Sequence, residues 1–110
     1  MSVVGEKRRR LRRGTPNDGV ITWNNGRHYF SCLVRNQTPD GAKVSVPNRV
    51  IPSEVHLINI RGQYAHRAQL AWMKNTEAGL VFLEFIDLTQ GTTTDLRHLV
   101  KLMVAHTRTL

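Results

Sequence analysis

Short apolar runs, several of them alternating with polar residues, follow one another along most of this chain, and turn-forming residues separate them. Val20-Ile21-Thr22-Trp23 is the first run; Asn24-Asn25-Gly26 closes it, and Asn-Gly favours a tight hairpin. Between Tyr29 and Arg35, Phe30, Cys32 and Val34 alternate with Ser31 and Arg35, while Leu33 breaks the polar face without breaking the period. Ala42 to Val46 alternates again and stops at Pro47, and Val55 to Ile60 makes a fourth run before the connection Arg61-Gly62. Residues 64–73 form a long fifth run ending in Trp72-Met73, and Asn75-Thr76-Glu77 turns the chain into Leu80–Ile86. Six strands at close spacing, with no helix-period segment between them, predict an antiparallel barrel or sandwich. A parallel α/β arrangement is disfavoured, because its crossovers need helices that the pattern lacks.

The pattern changes only at the end. Thr94 has the short hydroxyl of a helix N-cap, and Asp95 suits a first turn. Leu96, Leu99, Val100, Met103 and Val104 then recur at the spacing of one helix face, which predicts an amphipathic helix over 95–106, laid on the barrel or on a partner. The turn sequence from Gly14 to Gly19 marks the other boundary. The chain so divides into a basic N-terminal arm (1–13), a β-domain (14–94) and a C-terminal helical segment (95–110).

With 110 residues, 40% of them hydrophobic and 22% charged, the composition is that of one globular domain rather than a disordered chain. No apolar run is long enough to span a membrane, and the charged N-terminus has no apolar core behind it to make a secretory signal. Cys32 is the only cysteine, which excludes an internal disulfide and points to a reducing cytoplasm. The net charge of +8 is uneven: residues 1–13 carry +5 and the rest of the chain +3. Such a block is an anion-seeking arm.

The arm's fixed cations are Arg8, Arg9, Arg10, Arg12 and Arg13. A guanidinium fork meets phosphate oxygens two at a time, and its flat face stacks on bases. Pairs four apart, Arg8/Arg12 and Arg9/Arg13, suit one phosphate and one base of a single ligand. One hairpin later, Asn36-Gln37-Thr38-Pro39-Asp40-Gly41 reads Asn-x-Thr-x-x-Gly. Here Asn36 ends a strand and presents an amide, Thr38 supplies a hydroxyl, and Gly41 permits positive φ and close approach of a ligand. Trp72 shares the parity of Ala68 and Leu70, so core packing is its default. Trp23 reads as core or rim.

An Arg-x-x-x-Arg followed by Asp/Asn-x-Ser-x-x-Gly is the signature of the PilZ domain, and the chain resembles that family over residues 8–86. Trp72 and Gly79-Leu80-Val81-Phe82-Leu83-Glu84-Phe85 are similar to the family's last strands. The resemblance implies a six-stranded antiparallel β-barrel with a C-terminal α-helix, all-β apart from that helix. It implies a cytoplasmic bacterial receptor for the second messenger cyclic diguanylate (cyclic di-GMP), without a cofactor. The implied ligand residues are Arg8, Arg9, Arg13, Asn36, Thr38 and Gly41, with Arg10 and Arg12 beside them and Trp72 as a flat wall against a guanine. Binding would close the arm over the barrel and alter a contact with an effector protein, as a signalling adaptor rather than an enzyme. Thr38 stands where serine is usual and Asn36 where aspartate is commoner, substitutions that weaken affinity more readily than they abolish it.

Two other readings stay open: a degenerate PilZ domain that serves as a protein adaptor without ligand, and a small basic barrel that binds nucleic acid. Aromatic residues make up only 6% of the chain and do not interleave with basic ones, which speaks against the second. His28, His56, His66, His98 and His106 lack metal-ligand spacing, Cys32 has no partner nearby, and no nucleophile motif or phosphate-binding loop occurs.

Overall fold

The computed structural model describes residues 17–47, 50–90 and 93–107. Six strands form where the alternating runs lie: β1 (Asn17–Trp23), β2 (His28–Thr38), β3 (Gly41–Ser45), β4 (Glu54–Asn59), β5 (Tyr64–Lys74) and β6 (Glu77–Asp87). They pair antiparallel in the order β1-β2-β3-β6-β5-β4, and β4 returns to β1 to close a barrel. The closing register runs from Gly19↔Asn59 to Thr22↔His56. Closure gives every strand a neighbour on each side.

The turns use residues that tolerate the left-handed region. Asn24 (φ 57), Asn25 (φ 56) and Gly26 (φ 84) occupy it in succession between β1 and β2, and Asn75 (φ 56) does so between β5 and β6. In the β4–β5 connection the left-handed residue is Gln63 (φ 59), not Gly62. Gly62 is bare because a Cβ there would collide with the Tyr64 ring.

The β-domain has two hydrophobic clusters, one on each side of the sheet. The inner one fills the barrel with residues such as Ile21, Phe30, Cys32, Val34, Val44, Val55, Leu57 and Leu80. The outer one joins Val20, Ile58, Ala65 and Ile86 on the barrel wall to Leu99 and Met103. These last two belong to α1 (Arg97–Thr107), which follows a single 3-10 turn at Thr94–Leu96. The position preceding that turn is Thr93 rather than Thr94, and its side chain makes no cap hydrogen bond. Val104 is 42% exposed, whereas Leu102 packs on the outer cluster. At 100° per residue Val104 stands about 140° round the axis from Leu99, and Leu102 only about 60°.

His98 of α1 packs over the first hairpin, where a Cβ on Gly26 would lie 3.2 Å from its Cδ2. On its other side it meets His56 of β4, with ring centroids 6.1 Å apart at 79°. Burial and the charge of His98 push His56 below its ordinary value, against the opposing pull of Glu54 and Glu84. Burial alone pushes His66 down as well.

Leu99 has no exposed surface, so Leu99→Ala is expected to cost about 2–5 kcal/mol, measured by chemical denaturation. Two histidines held neutral in the fold bind protons more readily once unfolded. Their contribution is complete above the ordinary value of 6.5 and is lost as pH falls below it. The denaturation midpoint should therefore drop between about pH 7 and about pH 5, and His56→Gln should flatten that dependence.

Candidate functional site

The hairpin between β2 and β3 carries the Asn-x-Thr-x-x-Gly segment. Strand β2 does not stop at Asn36: a bulge between Val34 and Asn36 shifts the register, and pairing continues as Asn36↔Lys43, Gln37↔Ala42 and Thr38↔Gly41. That leaves Pro39-Asp40 as a two-residue tip, where Pro39 has no N–H to be left unpaired. The Thr38 hydroxyl accepts the Asp40 N–H at 3.2 Å and donates to the Gly41 carbonyl at 3.5 Å. Its oxygen therefore shapes the turn, while the side chain stays exposed. From the other side the Asp40 carbonyl accepts the Phe82 N–H at 2.8 Å, tying the tip to β6.

Gly41 fills its role differently from the sequence expectation. It does not adopt positive φ. Its side chain is missing because the backbone of β6 approaches so closely that a Cβ would collide with the Leu80 carbonyl oxygen.

Trp72 also departs from its expected place. The extra residue of a bulge between Leu70 and Trp72 puts Trp72 opposite Gly79 and out of the parity of Leu70. Instead of entering the core it is 45% exposed. The pyrrole half of the indole lies over Gly79, where a Cβ would collide with Nε1, Cδ1 and Cε2. Trp23 packs against the inner cluster and stacks on His28, as core or rim.

These irregularities converge. Asn36, Thr38, Gly41 and Trp72 line one outer groove of about 280 Å³, together with Lys43, Gly79 and Val81. The Asn36 amide has no hydrogen-bond partner among the described residues. Lys43 Nζ stands 3.9 Å from the Glu77 carboxylate with both side chains over a third exposed, a contact weak enough for the ammonium to turn to an incoming anion. Arg8, Arg9, Arg10, Arg12 and Arg13 lie outside the described residues. Lys43 and Val81 were not among the expected ligand residues; the signal for Lys43 was the hairpin itself, which sets Asn36 opposite it.

Elsewhere the chemistry is quiet. Burial, with help from Asp18, pushes the Cys32 thiol up to about 12, which leaves it protonated and unreactive. No group of His, Cys, Asp and Glu side chains among the described residues is placed to hold a metal ion. No helix among them is long and apolar enough to cross a membrane. No protein-family model matches this chain, and no curated protein matches it.

The two glycines separate turn from wall. Gly41→Ala meets backbone and should lower stability by about 2 kcal/mol in a denaturation curve. Gly79→Ala meets the indole first, a side chain rather than backbone, so it should shift the tryptophan emission at a smaller cost in stability.

Proposed function

We propose that this protein is a PilZ-type receptor for cyclic diguanylate, a binding protein that signals through a partner rather than an enzyme. One observation carries the reading: Asn36, Thr38 and Gly41, joined by Trp72 from a distant strand, line the same groove. A guanine laid on the exposed indole would gain stacking energy and present its edge to the Asn36 amide. Lys43 supplies the cation at the groove's rim for a phosphate.

The start of β1 lies on the side that the reading requires. β1 begins at Asn17 opposite Val34, so the preceding segment joins the barrel beside the end of β2 that bears Asn36 and Thr38. Only three residues separate Arg13 from Asn17. Arg8, Arg9 and Arg13, with Arg10 and Arg12, would bring guanidinium forks to the phosphates and cover the ligand. Covering it changes the surface next to the groove, and an effector that prefers the covered form would draw the equilibrium toward it.

Calorimetric titration of the full chain with cyclic diguanylate is expected to show saturable binding at micromolar Kd or tighter, about 8 kcal/mol or more. Arg9→Ala/Arg13→Ala should abolish that heat, and Trp72→Ala should weaken binding about tenfold. No heat at high ligand excess would overturn the receptor and leave the adaptor without ligand. Steeply salt-dependent binding of polynucleotides in its place would indicate a nucleic-acid-binding barrel.

A further inference from the structure

The turn that borders the groove also borders a second concavity. Successive residues of a strand point to opposite faces. Asn36 faces the outer groove, and Gln37 pairs with Ala42, which packs on the inner cluster. Gln37 thus reaches the open mouth of the barrel, where its Nε2 donates to the Tyr64 hydroxyl at 2.9 Å. Asn59 Nδ2 donates to the same oxygen at 3.2 Å, while its Oδ1 accepts the Gly62 N–H at 2.7 Å and so fixes the orientation of that amide. A phenol accepts two hydrogen bonds and donates one. With two donors already on its oxygen, the Tyr64 hydroxyl keeps its own proton to donate, and the Gln37 carbonyl oxygen takes up no hydrogen bond among the described residues.

Aromatic rings stand round this donor. Tyr64 and Phe85 have centroids 5.4 Å apart at 37°, and Tyr64 and His66 are 5.6 Å apart at 85°. His66 is buried and stacked flat on Phe82 at 3.7 Å, which anchors the wall. Phe85, at the rim, is 60% exposed. The bowl these residues make with Thr38 and Pro39 has a volume of about 480 Å³, within the range of small-molecule sites. Thr38 lines both bowl and groove.

We propose that the barrel mouth is a second ring-binding site, for a guanine-type base stacked on Phe85 and read at its edge by Tyr64 and Gln37. Guanine sets a carbonyl acceptor beside a ring N–H donor. Those groups complement the Tyr64 hydroxyl donor and the Gln37 carbonyl acceptor, whereas a plain aromatic ring would leave both unpaired. The source of the base is either a free guanine nucleotide or the second base of a cyclic dinucleotide straddling the Thr38–Gly41 turn. The latter rests on the receptor reading above, and it makes Phe85 and Tyr64 specificity-determining residues for that ligand.

The test is an NMR titration of the full chain with GMP and, separately, with cyclic diguanylate. The ring signals of Tyr64, His66 and Phe85 report on the bowl, and the Trp72 indole N–H reports on the groove. Ring signals that shift with both ligands establish a site for a free base; a shift with the dinucleotide alone establishes a site for its second base. Phe85→Leu keeps an apolar side chain at an exposed position, and should weaken binding about tenfold. Tyr64→Phe should weaken it several-fold, on the order of one hydrogen bond. Bowl rings that stay still with both ligands overturn the inference, even if Trp72 responds and the receptor reading survives. Bowl rings that move while Trp72 stays still uphold the inference and overturn the groove as the ligand site.

Discussion

Closure of the sheet through β1 and β4 is the constraint on which the rest of this structure depends. Four residue pairs, from Gly19↔Asn59 to Thr22↔His56, turn an open six-stranded sheet into a barrel. A closed sheet this small must fill its interior with side chains and also cover any apolar residues left on its outer wall. Both demands appear in consecutive residues of the closing strands. Ile21 and Leu57 point inward, while their neighbours Val20 and Ile58 point outward to meet α1. The helix is therefore part of the solution to closure rather than an appendage.

The candidate site grows out of the places where that sheet is irregular. Bulges in β2 and β5 turn Asn36 and Trp72 to the same outer groove. The tip between them is held by the Thr38 hydroxyl on one side and by the Phe82 N–H on the other. Its geometry is thus set before any ligand arrives, and a site fixed in advance loses less ordering entropy on binding. The barrel mouth is organised in the same manner, with two amides fixing Tyr64 before a ring could stack beside it.

Much of the barrel was legible in the sequence, because period-two alternation reports directly which side chains face inward. Phe30, Cys32 and Val34 are buried as their alternation indicates. What was not legible followed from single inserted residues, which leave no mark on composition or periodicity. One such bulge moved Trp72 from the expected core to the surface, and another extended β2 past Asn36 to Thr38. Gly41 could be read as important but not for the correct reason, since its need arises from the neighbouring strand's carbonyl and not from its own φ. The aromatic bowl was invisible for a similar reason: Tyr64, His66 and Phe85 meet only once β5 and β6 have paired.

The two hydrophobic clusters lie on opposite sides of one shared wall, the sheet. Every strand is hydrogen-bonded to two neighbours, whereas α1 is held to the barrel by side-chain packing. The domain is therefore built as two units of unequal tenacity. Amide exchange in α1 can proceed by undocking and fraying while the strands stay protected. The step that bares Val20, Ile58 and Ile86 is then a local opening that leaves the strand pairing in place.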